Sequence, residues 1–334
     1  MFFYYKMLIS KVMFMKKKKI QIICTLGPSS LNSDFLEYSK NNVDMLRLNM
    51  SHLEPSELKK NIEFIKKRTN CPICIDTEGA QIRSKFKKRK FFKKNSIIHI
   101  SENSNDLKLY PEDIKDKVKP NDILNIGFEN LKVKVLKRYN KFLLTKVVSQ
   151  GYLENNKGIH LENRKIKLEC ITKKDIEAIQ IGKLNKLDNY ALSFTNSVSD
   201  VKYFNKLTNN KSKNIFKIET KQSVNKFNEI IKEGNNFLID RGDLSKDISV
   251  YKIPETQRKL MKIKNRYKFK KIFIATNLLE SMIINNYPTR AETNDIYSCI
   301  EMGADGLVLA AETAIGKNPI ECVKFVNNMI KQFK

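Results

Sequence analysis

Eight short β-branched or apolar runs alternate with stretches of helical periodicity, and that alternation constrains this chain more than anything else in it. The runs are Ile20–Cys24, Met45–Leu48, Ile73–Asp76, Ala191–Phe194, Asn214–Lys217, Phe237–Asp240, Lys271–Ile274 and Gly306–Ala310. Between them, apolar residues recur at three- and four-residue spacing in Pro55–Lys67, Lys173–Lys183, Lys221–Lys232, Pro254–Arg266 and Pro319–Lys331. A parallel strand can be reached only by a long crossover, so the alternation predicts parallel strands with helices between them. Eight such units predict an α/β fold, a (β/α)8 TIM barrel.

One connection is too long for that scheme. About 110 residues separate the third run from the fourth, and they hold short alternating stretches at Ser96–Ile100, Asp122–Ile126, Leu131–Leu136 and Phe142–Val148. Turn residues at Pro120-Asn121-Asp122 and Gly151 punctuate them. The spacing predicts a small all-β domain inserted after the third strand, at the face where barrels carry their active sites. The expected divisions are an extension at 1–16, the barrel's first part at 17–84, the β lid at 85–167 and the barrel's second part at 168–334.

The chain has 334 residues, with 63 Lys and Arg against 36 Asp and Glu, a formal charge of +27. That surplus would attract any polyanion. The lysines are nonetheless scattered, Trp is absent and Asn is abundant, which coding bias explains without a nucleic-acid partner; none is expected. The Lys85–Lys94 run, with its aromatics, reads as a solvated strand face. Six dispersed cysteines suit a reducing compartment, and Cys71-Pro-Ile-Cys74 lacks a second ligand cluster for zinc, so core packing is its reading. The first residues place their positive charge after the apolar stretch, the reverse of a signal peptide. A cytoplasmic protein without a membrane span is expected, organellar targeting by residues 1–16 being the weaker alternative.

Polar residues cluster at the ends of the predicted strands, where a barrel holds its chemistry. The period of two puts Lys217 and Glu219 on one side of the fifth strand. The sixth ends Asp240-Arg241-Gly242-Asp243, where Gly242 permits close backbone approach and Asp243 offers a second hard oxygen ligand. Two carboxylates plus substrate oxygens are the usual protein share of a Mg2+ site. The seventh ends at Thr276, before a segment expected to offer helix N–H groups to an anion. Together these ends suggest a site for a phosphate and a divalent cation.

The same residues fall in an ordered series that resembles pyruvate kinases. It comprises Ile23-Cys24-Thr25-Leu26-Gly27-Pro28-Ser29-Ser30, Arg47-Leu48-Asn49-Met50-Ser51-His52, Asp76-Thr77, Lys217-Ile218-Glu219, Arg241-Gly242-Asp243, Ala275-Thr276, Leu279-Glu280-Ser281-Met282, Pro288-Thr289-Arg290-Ala291-Glu292 and Glu312-Thr313-Ala314. The resemblance runs from about Lys18 to Ile330 and implies phosphoryl transfer from phosphoenolpyruvate to ADP in glycolysis, giving pyruvate and ATP. By similarity, Glu219 and Asp243 hold Mg2+ (or Mn2+). Lys217 offsets charge on the transferring phosphoryl group. Thr276 and the Arg241–Asp243 backbone, Gly242 included, receive the substrate carboxylate. Arg47 matches a phosphate-contacting arginine, Arg83 and Lys174 match further basic positions near the nucleotide, and Asn49, Ser51, Asp76 and Thr77 match the ligands of K+. The Pro288–Glu292 segment resembles one near a barrel-to-barrel contact, which suits a homodimer.

Several positions depart from the family pattern. Glu78 stands where the family usually has Lys, Ala80 where it has Pro, Gln81 where it commonly has Glu, Asp240 where it has Ala and Asn277 where it has Gln. The stretch Asn125–Asn130 replaces an Asp-Asp-Gly turn of the insertion, and the sequence ends at Lys334 directly after the expected eighth helix, as expected of a short form lacking the family's carboxyl-terminal domain. These substitutions keep one alternative open, a diverged relative that binds phosphoenolpyruvate-like acids with little ADP phosphorylation.

Overall fold

The structure, a computed structural model, describes residues 19–79, 81–127, 131–162, 164 and 166–333. The expected extension at 1–16, Ala80 and residues 128–130 of the departed turn lie outside the described residues. Two units make up the chain: one runs up to Gly79 and resumes at Cys170, and the other spans Ala80–Glu169.

In the first unit eight parallel strands close into a barrel. They are Gln21–Thr25, Met45–Asn49, Ile73–Asp76, Asn189–Leu192, Lys213–Ile218, Asn236–Asp240, Lys271–Ala275 and Gly306–Leu309, each beside its successor, with Gln21 of the first opposite Gly306 of the eighth. Alternation along each strand splits its apolar residues between two cores. Ile23, Cys74, Ala191, Ile215, Leu238, Phe273 and Val308 pack inside the barrel. Ile22, Ile75, Phe216, Ile218 and Ile239 face the other way and join helix residues such as Leu58, Ile62 and Leu260 in the larger core. Helix Pro55–Lys66 shows why such segments are helical: Glu54 and Glu57 form a capping box, Pro55 opens the first turn, and Leu58, Ile62 and Ile65 fall on one buried face.

Two elements differ from the sequence expectation. The fourth strand covers Asn189–Leu192 rather than 191–194, because Phe194 turns to φ +53° and gives its N–H to Glu219 Oε2 at 2.6 Å instead of the ladder. The Lys221–Lys232 pattern forms two helices, Lys221–Asn225 and Phe227–Glu233, since the backbone at Lys226 opens to ψ 7°.

The Ala80–Glu169 unit is built of antiparallel strands around its own core, which includes Ile100, Leu124, Val133 and Leu143. Strand Ile82–Lys85 pairs there with Gly158–Leu161 and Lys108–Tyr110, so residues 82–84, expected in the barrel, belong to the insertion. In the basic run, Phe91 meets the Tyr152 ring edge-on and Arg89 lies over the same ring at 3.8 Å. No described helix is long and apolar enough to cross a membrane.

Candidate functional site

A polar layer sits one step beyond the apolar interior of the barrel. Thr25 follows Ile23 by two positions, Arg47 follows Met45, Asp76 follows Cys74, Ser193 follows Ala191, Lys217 follows Ile215 and Asp240 follows Leu238. The period of two therefore turns each of these polar side chains toward the barrel axis at the carboxyl end of its strand.

Lys217 lies at the centre of this layer. Its Nζ is 3.2 Å from Asp76 Oδ2, 2.9 Å from Glu219 Oε1, 3.8 Å from Asp240 Oδ2 and 3.1 Å from Ser193 Oγ. Burial alone would push the ammonium toward neutrality, but Asp76, Glu219 and Asp240 outweigh it and hold the lysine well above its ordinary value. Arg47, also buried, reaches Asp76 Oδ2 at 3.1 Å and donates through Nε to Thr25 Oγ1 at 2.9 Å. One carboxylate oxygen of Asp76 thus joins two cations, from the second and the fifth strands.

Negative charge still exceeds positive charge here. Four carboxylates (Asp76, Glu219, Asp240, Asp243) face three cations (Arg47, Lys217, Lys246), the last bound to Asp243 at 2.5 Å. Glu219, Asp240 and Asp243 can each bring an oxygen within 4.8 Å of the others. Glu219 Oε1 is buried with no well-aligned hydrogen-bond donor. Burial pushes the Glu219 carboxyl up, Lys217 opposes that push, and Asp243 and Asp240 add to it. A buried, crowded set of hard oxygens fits a small divalent cation, which would relieve the repulsion.

Beyond the seventh strand, Thr276 and Asn277 both adopt left-handed backbone, at φ +74° and +56°. The expected helix does not follow directly, because that backbone ends regular structure; a 3-10 turn forms at Glu280–Ile283. Thr276 Oγ1 donates to Asp240 Oδ1 at 2.6 Å. The Arg241 guanidinium donates to the Thr276 carbonyl at 3.0 and 2.5 Å and pairs with Asp295 at 2.6 Å. A Cβ at Gly242 would meet Thr276 Cγ2 at 2.7 Å, so a side chain there would have to displace one of the two.

The four residues matched to K+ fall on neighbouring strand ends. Asn49 and Asp76 are register partners, and Asn49 Oδ1 accepts the Ser51 N–H at 3.0 Å. Thr77 Oγ1 accepts the Ser193 N–H at 2.9 Å, while Ser193 Oγ donates to the Thr77 carbonyl at 2.6 Å. Sequence reasoning did not single out Ser193; its place two positions after an interior alanine was the available signal. Asp175 was also missed. It caps its own helix at Thr172 and accepts the N–H groups of Glu78 and Gly79 at 2.8 and 3.2 Å, locking the backbone after the third strand.

Two basic residues do not join the cluster in the contacts described. Lys174 pairs with Glu54 at 3.0 Å and Glu78 at 3.6 Å. Arg83 belongs to the Ala80–Glu169 unit and faces Asn156. Cys71 and Cys74 are both buried, and burial raises both thiols, Cys71 to about 12, as core packing predicts.

The model of the pyruvate kinase barrel domain matches residues 17–323. Pyruvate kinase from Thermotoga maritima is 30% identical over 331 residues, covering 94% of this chain and 71% of its own length. The Methanocaldococcus jannaschii enzyme is 33% identical, with 94% and 69% covered. That of Buchnera aphidicola subsp. Baizongia pistaciae is 34% identical, with 93% and 69% covered.

Proposed function

The chain belongs to the pyruvate kinase family, and from that premise we propose that it transfers the phosphoryl group of phosphoenolpyruvate to ADP, giving pyruvate and ATP in glycolysis. The observation that carries the reading is the Lys217 cluster: one buried ammonium among carboxylates, with Arg47 beside it, at the carboxyl ends of the strands. Phosphoryl transfer passes through a loose transition state with charge spread over the equatorial oxygens, so catalysis needs positioned positive charge more than covalent chemistry.

Lys217 supplies that charge to the phosphoryl group in flight, and Arg47 binds it from the second strand. Thr276 Oγ1 with the backbone of Arg241, Gly242 and Asp243 receives the substrate carboxylate. Glu219 and Asp243 would hold Mg2+ or Mn2+, which supplies charge neutralisation to the phosphate oxygens when bound. Asn49, Ser51, Asp76 and Thr77 would hold K+, and Lys174 would serve the nucleotide. Rupture of the P–O bond to the enol oxygen leaves an enolate, which takes up a proton to become pyruvate.

A coupled assay for pyruvate, with phosphoenolpyruvate, ADP, Mg2+ and K+ present, tests this directly. ADP-dependent pyruvate release is the expected result. Its absence, with phosphoenolpyruvate still bound, would overturn the transfer reading.

A further inference from the structure

The contact between Thr276 and Asp240 carries an inference that deepens the phosphoryl-transfer reading and rests on it for the identity of the ligand. A β-branched residue at φ +74° is a backbone outlier, and such outliers persist only where their surroundings over-determine them. Here the surroundings converge on one carboxylate. Asp240 Oδ1 accepts Thr276 Oγ1 at 2.6 Å and lies 3.2 and 3.5 Å from the amide nitrogens of Gly242 and Asp243. Its Oδ2 stands 3.8 Å from Lys217 Nζ, and the residue is only 8% exposed.

Capping of a short helix accounts for the two amides alone. It does not account for a hydroxyl reaching across from the end of the seventh strand, nor for an ammonium from the fifth. Hydroxyl, amides and ammonium together form a receptor for a small carboxylate, and Thr276 with these amides is the set assigned above to the substrate's carboxylate. A carboxylate anchored to the sixth strand already fills it.

We propose that Asp240 is a specificity-determining residue: a tethered carboxylate that competes with the substrate's own carboxylate for Thr276 Oγ1 and the amides of Gly242 and Asp243. A carboxylate arriving from solution must displace Asp240 and then sit beside its charge, so small 2-oxo and enol acids bind weakly for a chain with this site. No bond is made or broken in this competition.

The test is calorimetric titration of pyruvate into wild type, Asp240→Ala and Asp240→Asn at fixed Mg2+, with the KM for phosphoenolpyruvate measured alongside. Asp240→Ala should tighten pyruvate and lower that KM by about ten-fold, the scale of one charge-assisted hydrogen bond recovered. Asp240→Asn keeps an acceptor but removes the charge, so it should give a smaller gain in the same direction; it carries the test if the alanine variant does not fold. Unchanged or weakened pyruvate binding in the variants, with wild type turning over, would overturn the competition alone. Loss of Mn2+ affinity without any gain for pyruvate would also overturn it, making Asp240 a cation ligand instead. Failure of all three proteins to bind pyruvate or to form it would overturn the transfer reading, and this inference with it.

Discussion

Lys217 Nζ lies 3.2 Å from Asp76 Oδ2 across the single strand, Asn189–Leu192, that separates theirs in the barrel, and neither side chain is open to solvent. The pair is one edge of a buried network in which the ammonium also faces Glu219 and Asp240. Lys217→Met therefore has two expected effects. Turnover should fall on the order of 10²–10³, because the lost charge acts mainly on the transition state. Stability in chelator should fall by about 3–5 kcal/mol, the cost of leaving buried carboxylates without their cation. Saturating Mg2+ should recover part of the stability and none of the turnover. Wild-type turnover in this variant would remove Lys217 from the mechanism.

Asp175 predicts a pH dependence of stability. Burial holds its carboxyl up at about 6 from 3.8, against the N–H groups of Thr172, Glu78 and Gly79, which favour the ionised form. A folded-state value above the unfolded one means that folding favours the protonated form. The contribution is fully present below about pH 4 and is lost as pH rises through 6, with a size of at most about 3 kcal/mol. Denaturant midpoints between pH 4.5 and 7.5 should therefore fall less steeply with pH in Asp175→Asn than in wild type. The general effect of the chain's large positive charge acts on both proteins and cancels in the comparison. Identical slopes would show that Asp175 is ionised throughout.

What could be read from the sequence was whatever depends on local period. The barrel strands, and the shared face of Lys217 and Glu219, follow from alternation along one segment. Pairings between segments far apart in the sequence could not be read that way. The bond from Thr276 to Asp240 joins residues 36 positions apart, and the bond from Glu78 N–H to Asp175 spans 97. The ion pairs of Lys174 with Glu54 and Glu78 likewise leave no local sign. The end of the seventh strand misled for a different reason. Thr276 carries no local sign of left-handed backbone, which tertiary bonds to its carbonyl and hydroxyl impose.

Gly242 and Thr276 predict a rescue. A Cβ on residue 242 would stand 2.7 Å from Thr276 Cγ2, a methyl on a residue already in a constrained conformation. Overpacking of this kind costs about 1–3 kcal/mol of stability, and by displacing Thr276 Gly242→Ala should also lower kcat/KM. Thr276→Ser removes the methyl, keeps the hydroxyl and suits the positive φ better. The double variant should recover most of the loss, and Thr276→Ser alone should change little. Equal losses in the single Gly242→Ala variant and the double variant would show that the clash is not the cause.

The last prediction concerns the monovalent cation. Asn49, Ser51, Asp76 and Thr77 lie together at the ends of the second and third strands, so oxygen ligands are at hand. These groups are already engaged: Asn49 Oδ1 accepts from Ser51, Asp76 Oδ2 serves Lys217 and Arg47, and Thr77 Oγ1 accepts from Ser193. An ion bound there would share Asp76 with two resident cations, which weakens its attraction at close range. Gln81, neutral where the family commonly has Glu, adds no charge to favour it. Activation by K+ is expected, with a half-maximal concentration that falls in Gln81→Glu, while Gln81→Lys relieves the requirement. The measurement is the initial rate of pyruvate formation in tetramethylammonium buffer, with KCl titrated at constant ionic strength. Full activity before any K+ is added would show that Lys217 and Arg47 already supply the positive charge the site requires, and would withdraw all four residues as cation ligands.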